Sequence, residues 1–360
     1  MDAIIDVVLV GVVLLAMVGS TFLFFWALID CAKRPGAAWT AINRRQWVWL
    51  TLIVVFGVFA SIYYLAWLRP QLGGKATPRK VQDSIVAVVF LSPALFVFYW
   101  FYFRAIYKIF ELGLYQQNRT GTRQRWVGFS QYTDVLTGDD FKEGAWITIK
   151  YVLFTVPPGL ILGILLAVAV NRKLKGIKVF QGIFSSTIAS SVAVASVIFF
   201  VLINPQVGVF KVDWLSNPDW ALFGVSLSSV WQNLGLTFII VLAGLQAVPE
   251  EVMESATLDG AGAFRKFFNV TLPLISPTLL FLVVVLTIFA FQAFAQIDIL
   301  TAGGPAQSTE TLVFKIFKQS QEPVNLGTAS VLSIGLFGLT FLVSVFQFAI
   351  LDRRVHYGRK

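Results

Sequence analysis

The 360-residue chain has one cysteine, Cys31, and one histidine, His356. A single thiol excludes an intrachain disulfide framework and a cysteine-based metal cage. His356 stands in a basic tail without a neighbouring ligand residue and reads as a solvated side chain. Charge is scarce as well. Asp, Glu, Lys and Arg make up 13% of the chain, against roughly 25% in a soluble domain. The G-x-x-x-x-G-K-[ST] phosphate loop is missing, because Gly73-Gly74-Lys75 lacks the upstream glycine and the following hydroxyl. No basic n-region precedes the first apolar stretch, which runs from near Met1 into Trp26 and Leu28, so a cleaved signal peptide is not expected.

Apolar residues are abundant. They account for 57% of the chain, with 34 Phe and 11 Trp, and the mean hydropathy is +0.76. One soluble core does not need so many, whereas a lipid-facing surface does. Eight stretches approach or exceed the roughly 20 residues that cross a hydrocarbon core as helix: about 4–29, 47–68, 84–110, 145–170, 178–203, 221–247, 274–299 and 329–351. Continuous apolar runs favour helices over barrel strands, which alternate. The expected fold class is all-α, a polytopic membrane protein with about eight transmembrane helices. The net charge of +9 sits at span ends, as for anchoring against anionic lipid, and does not point to nucleic acid.

Basic loops orient the spans. Loop 171–178 and tail 352–360 each hold four Lys or Arg residues, and both fall on the cytoplasmic side together with loop 248–273. Segments 111–144, 204–220 and 300–328 then lie outside. The first part of the chain resists this scheme. Segment 30–46 carries Lys33, Arg34, Arg44 and Arg45, and segment 69–83 carries Arg69, Lys75, Arg79 and Lys80. Both prefer the inside, and one helix between them cannot satisfy both. Either loop 30–46 lies outside against its charge, or one of the first two stretches does not fully cross; the expectation taken is eight spans with both termini inside. The Pro/Gly/basic stretch 69–83 marks a boundary between a two-helix membrane extension, 1–68, and a transmembrane domain, 84–351, followed by the tail.

The most informative segment is 249–273. Pro249 followed by Glu250 and Glu251 is a helix start, and Asp259-Gly260 ends that helix in a residue pair that tolerates a left-handed turn. A second amphipathic turn, Phe264 to Phe268, carries Arg265 and Lys266, and Pro273 opens the next span. This elbow is too short to form a core and presents its surface to something else. Its order resembles the signature of bacterial ABC-importer permeases: Glu-Ala-Ala, three residues, Gly, nine residues, then Ile-x-Leu-Pro. Glu254-Ser255-Ala256, Gly260 and Val270-Thr271-Leu272-Pro273 occupy those places, with Ser for Ala and Val for Ile.

The resemblance extends over about 85–351. Trp126-Val127-Gly128-Phe129-Ser130-Gln131-Tyr132, Leu166-Ala167-Val168-Ala169-Val170-Asn171-Arg172, Ser229-Val230-Trp231-Gln232-Asn233, Ala243-Gly244-Leu245-Gln246 and Leu300-Thr301-Ala302-Gly303-Gly304-Pro305 recur in order. They are similar to the carbohydrate and glycerol-phosphate branch, near the larger maltose-type permease. One departure is visible: Ser185 to Ser191 lacks the family's Leu-Pro, and its small residues would instead allow close helix packing. Trp26 to Pro35, with Gly57 and Tyr63-Tyr64, weakly resembles the small membrane domain ahead of some phospholipase D-type enzymes.

The resemblance implies a type I permease core of six helices in a bacterial or archaeal cytoplasmic membrane. This chain would be no enzyme and hold no cofactor of its own; ATP and Mg would sit on a partner ATPase pair. A second permease, an extracytoplasmic solute-binding protein and a small polar solute, a sugar, complete the implied partners, within a lipid bilayer and without nucleic acid. The elbow residues Glu254, Ser255, Ala256, Asp259, Gly260, Leu272 and Pro273 would couple to the ATPase, with Glu254 as charged contact, Ala256 permitting close approach and Gly260 forming the turn.

Polar groups inside apolar spans are costly and face a cavity or a neighbouring helix. Trp231, Gln232 and Asn233, and Phe291, Gln292 and Gln296, are the candidate substrate-pathway residues, with Gln292 and Gln296 four apart and so on one helix face. Interhelical hydrogen bonding is the competing role for each. Sugars lead as substrate, with glycerol-3-phosphate or its diesters as the alternative; a buried cation on the pathway would favour phosphate, and Arg104 with Lys108 is the one available pair. A secondary transporter leaves the elbow unexplained. A phospholipase D-type enzyme needs H-x-K, and His356 is followed by Tyr357-Gly358.

Overall fold

The computed structural model describes residues 25–35, 38–39, 45–72, 91, 94, 97–117, 124–171, 176–206 and 208–351. Most of the first expected span, the linker from residue 73, part of the third span, the basic residues at 172–175 and the tail with His356 lie outside them. The chain divides into two compact units, Met1–Ile106 and Tyr107–Lys360.

In the first unit, a helix over 25–33 packs beside α1 (Gln46–Tyr63), which continues through a π-turn to Gln71. The core is Ala27, Cys31, Trp39, Ile53, Tyr64, Leu68 and Leu72. Trp49 and Tyr63 stack with ring centroids 5.5 Å apart. Fourteen residues of straight helix would put about 21 Å between them, so the stretch expected to cross at 47–68 folds back on itself.

The second unit opens within α2 (Arg104–Leu112), whose first three residues belong to the preceding unit, and continues with an antiparallel β1–β2 pair, Tyr115–Gln117 and Gln124–Trp126. Gly128, at φ +62°, turns the chain into α3 (Ser130–Thr137). Two long helices then form the centre: α4 (Asp139–Val170) and α7 (Ala221–Gln246). They meet where any Cβ on Gly163 would collide with the Thr237 side chain, and again where the Tyr151 and Ser229 hydroxyls share a buried 2.6 Å hydrogen bond. Gly159, one turn away, faces open space, so only Gly163 of this glycine pair is there for close approach.

Between them lie α5 (Ile177–Ser185) and α6 (Val192–Ile203), two halves of one expected span bent by 105°. A 3-10 turn, Ser186–Ala189, ends the first limb before the bend, and the Ser191 hydroxyl caps α6 by accepting from the Val194 N–H at 3.2 Å. Here the missing proline is replaced by a polar, small-residue break. The turn lies against α7 so closely that the Gly235 N–H donates to Thr187 Oγ1 at 2.8 Å. A Cβ on Gly235 would stand 2.5 Å from that oxygen.

Beyond α7 come the elbow helices α8 (Glu250–Leu258) and α9 (Ala263–Lys266), then α10 (Ser276–Phe291), α11 (Ala295–Leu300), α12 (Leu312–Ser320) and α13 (Leu326–Leu351). The span expected at 274–299 therefore ends at Phe291, and α11 is a separate short helix. Its start also differs: residues 263–274 and α10 meet at 69°, so the membrane helix opens at Ser276 and not at Pro273. Among the described residues, α4, α7 and Pro323–Leu351 are long and apolar enough to cross a membrane, and the two bent pairs raise the number to five.

Long-range polar contacts tie α12 to α4. The Leu312 N–H, at the first turn of α12, donates to Thr148 Oγ1 at 2.9 Å, and buried Lys315 reaches Asp140 at 3.2 Å and Glu143 at 3.5 Å. Two apolar clusters lie along the bundle. One joins Tyr151, Val156, Val225, Leu286 and Ile297; the other joins Ala167, Phe238, Leu242, Ile275 and Leu282.

The α4–α7 crossing yields a direct stability test. Gly163→Val should cost on the order of 1–3 kcal/mol through overpacking and lower the melting midpoint of the detergent-purified protein. Thr237→Ala should recover part of the loss, while Gly159→Ala should leave the midpoint near wild type. A Gly163→Val protein as stable as wild type would contradict the close approach.

Candidate coupling elbow and transport cavity

The elbow is built from local signals. Pro249 is extended and carries α8 into Glu250 and Glu251, whose charges complement the helix N-terminus. At the other end the Ala261 N–H donates to the Ala256 carbonyl and the Gly260 N–H to the Thr257 carbonyl, both at 3.0 Å. That pair of bonds is the Schellman motif, and Gly260 supplies its left-handed residue at φ +74°. Nothing lies within 4 Å of a Cβ built there, so glycine is needed for its backbone conformation and not for space.

One face of α8 is held down. Ala256 is buried, and Met253 Sδ accepts from the Thr271 hydroxyl at 3.7 Å. Lys266 Nζ reaches back to Thr257 Oγ1 at 3.1 Å, closing α9 against α8. The other face is open. Glu254, Ser255, Asp259 and Gly260 are exposed, and Leu272 and Pro273 are half-buried on the path to α10. Ala256 is thus placed inward against its own chain, whereas Glu254 and Ser255 point outward. Leu258 and Phe264 are 89% and 83% exposed, a pair of apolar side chains held out beside the acidic residues. Leu258 escaped the motif reading; its sequence signal is a large apolar residue directly before Asp-Gly and off the buried Met253–Ala256 face. A cavity of about 640 Å³ lies beneath the elbow, lined in part by Asn171, Gln181, Gln246, Glu250 and Lys266.

A second cavity, about 430 Å³, lies along α7 between the levels of the two apolar clusters. Gln232 and Asn233 from α7 face Gln292 and Gln296 there, with Thr155 of α4 and Ser229 completing the polar lining and Phe289 and Phe294 adding aromatic surface. Four of the six pathway residues expected from sequence are therefore brought together. Trp231 instead packs on Phe199, with centroids 6.0 Å apart, and Phe291 is buried in the core. The one-face argument for Gln292 and Gln296 fails, because the helix breaks between them. The Phe294 backbone leaves helical geometry at φ −126°, and the two amides reach one cavity from separate helices. Thr155 was not among the expected residues, and its buried Oγ1 lies at the cavity wall. Asp298 is exposed on α11, away from this lining. Arg104 stacks 4.6 Å over Trp100, and Lys108 pairs with Glu111 at 3.4 Å.

A rigid bundle bearing a polar cavity, with an exposed elbow between two of its helices, is a transporter's arrangement. Residues 159–357 match the family described as "Binding-protein-dependent transport system inner membrane component". The chain belongs to that family.

It is a permease subunit of an ABC importer, an inner-membrane component. Among its relatives, the sn-glycerol-3-phosphate transport system permease protein UgpA of Brucella abortus is 30% identical over 290 residues, covering 77% of this chain and 98% of the relative. The protein of that name from Escherichia coli O157:H7 is 33% identical over 247 residues, 66% of this chain and 84% of its own. In fold, this permease is similar to a chain of the bacterial alginate ABC transporter solved with alginate pentasaccharide-bound periplasmic protein. That match has a TM-score of 0.66 at 19% identity and covers 76% of this chain and 96% of the other.

The cavity can be probed without knowing the solute. In a Cys31→Ser background, cysteines at Asn233 and Gln296 should react with a small water-soluble thiol reagent, while one at Phe291 should stay protected. Labelling measured by mass spectrometry checks this, and equal reactivity at all three positions would refute the placement.

Proposed function

We propose that this permease carries a neutral carbohydrate through the cavity bounded by Gln232, Asn233, Gln292 and Gln296. The carrying observation is the lining itself: amides, hydroxyls and aromatic faces, with no Lys, Arg or His among its described residues. Amides donate and accept hydrogen bonds, which suits sugar hydroxyls, and aromatic rings suit the apolar faces of a pyranose. A phosphate group entering a low-dielectric cavity without a cation meets a desolvation penalty that those amides do not offset. The second reading, import of glycerol-3-phosphate or a diester of it, is supported by the substrate in the relatives' names. It requires a cation from outside this described lining.

The driving force enters at the elbow. Loop 249–273 and the tail face the cytoplasm in this reading, on the strength of the basic loops. Glu254, Ser255, Asp259 and Gly260, with Leu258 and Phe264, contact one of two ATPase subunits, where ATP and Mg are bound and hydrolysis takes place. A second permease and an external solute-binding protein complete the assembly. The exposed acidic and apolar side chains support a docking surface, and the contact from Met253 to Thr271 supplies a path toward α10. Closure of the ATPase pair then shifts the population between two packings of the helices.

Two results are expected from the assembly reconstituted with its ATPase and binding protein. Gly260→Val should insert normally yet lose substrate-stimulated ATP hydrolysis, because a β-branched residue at this φ is strained by about 1–3 kcal/mol. Gly260→Asn should retain most of it. Across a panel of sugars, glycerol-3-phosphate and glycerophosphodiesters, a neutral sugar should give the largest stimulation, and Asn233→Ala with Gln296→Ala should raise its half-saturating concentration about tenfold or more. Stimulation by glycerol-3-phosphate alone would establish the second reading.

A further inference from the structure

The first unit has no part in the cavity or the elbow as described above, yet its geometry is specific. Gln46 Nε2 donates to the carbonyls of Cys31 at 2.9 Å and Arg34 at 3.3 Å. Arg34 Nη1 in turn donates to the carbonyl of Leu72 at 2.8 Å. One residue, Arg34, thus touches both ends of the segment 46–72. A straight helix of that length would separate its ends by about 39 Å, well beyond the reach of these two side chains laid end to end. The Trp49–Tyr63 stack requires the same reversal.

The two ends are pinned by charge. Asp30 accepts from Tyr64 Oη at 2.8 Å and pairs with Arg34 at 3.3 Å and Arg69 at 3.4 Å. It is the only acidic residue between 25 and 72. Lys33 and Arg45 remain exposed at the same end, and Arg69 is half-exposed over the Trp26 ring at 5.2 Å. Trp26 and Trp47 are exposed there too, with rings of the kind that sit at headgroup depth. Cations exceed the single carboxylate along this rim, and anionic headgroups complement the excess.

We propose that the first unit contains a re-entrant anchor: the segment 46–72 enters and leaves the bilayer on one face and holds anionic phospholipid headgroups there with Lys33, Arg45 and Arg69. The segment is built of helical stretches, whose internal hydrogen bonds satisfy backbone groups within lipid. Both basic segments, 30–46 and 69–83, then lie on one side, which removes the charge conflict that a crossing helix creates.

The test uses the full permease in a Cys31→Ser background, with exposed Ala32 and Gln71 replaced one at a time by cysteine. A membrane-impermeant maleimide should label both positions from the same side when intact spheroplasts are compared with inside-out vesicles. Labelling from opposite sides overturns the proposal. For the headgroups, permease purified from mixed phosphatidylglycerol and phosphatidylcholine is read by native mass spectrometry. Lys33→Gln/Arg45→Gln should lower the retained phosphatidylglycerol relative to phosphatidylcholine about threefold or more. An unchanged ratio overturns the headgroup assignment even where the topology holds.

Discussion

The contact between α4 and α7 is the constraint on which the permease unit rests. At one level Gly163 lets Thr237 in to backbone distance, and at another the Tyr151 and Ser229 hydroxyls share a buried 2.6 Å hydrogen bond. In lipid there is little hydrophobic gain from bringing helices together, so close packing and such hydrogen bonds must provide the association. The crossing is tight at Gly163 and open at Gly159, one turn away. The polar cavity lies toward Thr155 and Ser229, farther along the same two helices. A bundle without this narrow crossing would have no defined cavity to line.

The remaining spans reach the cavity by being broken. Bending α5 and α6 by 105° brings the Thr187 turn onto Gly235 and Val192 to the cavity wall. Ending α10 at Phe291 frees Gln292 and sends Gln296 back in on α11. Continuous helices would spread these amides along their axes at 1.5 Å per residue. Breaks let them converge, and each break must satisfy its own backbone groups. Ser191 does so for α6, and Thr148 does so for α12 from another helix.

This separates what was legible in the sequence from what was not. The elbow could be read because its signals are local: Pro249, two glutamates and Asp259-Gly260 specify start and stop within a dozen residues. The polar residues of the cavity could be named because polar groups in apolar spans are conspicuous. Their geometry could not, since Phe291 to Ala295 contains neither proline nor glycine and its break depends on tertiary packing. The fold-back of 46–72 was equally hidden. Its apolar run has the length of a crossing helix, and what reverses it are contacts among Asp30, Arg34, Gln46, Tyr64 and Leu72 that no local pattern announces. The charge conflict between the flanking segments was the only sequence trace of it.

The permease's mechanics follow from which parts are stiff. In the function proposed above, force applied at Glu254 or Leu258 passes through Met253, whose sulfur accepts from the Thr271 hydroxyl, into the 263–274 segment. From there it meets the 69° bend before α10. On the proposed function, a bend of that size would turn a push along the membrane surface into a motion of α10, whose far end carries Gln292 and leads into Gln296. The other two amides, Gln232 and Asn233, sit on α7, which is locked to α4 at Gly163. In the same proposal, movement at the elbow changes the distance between two pairs of amides, one on the locked pair of helices and one beyond the bend. A solute bridging both pairs is, on the proposed function, held in one arrangement and released in the other, and that difference in contacts lets the partner ATPase drive transport.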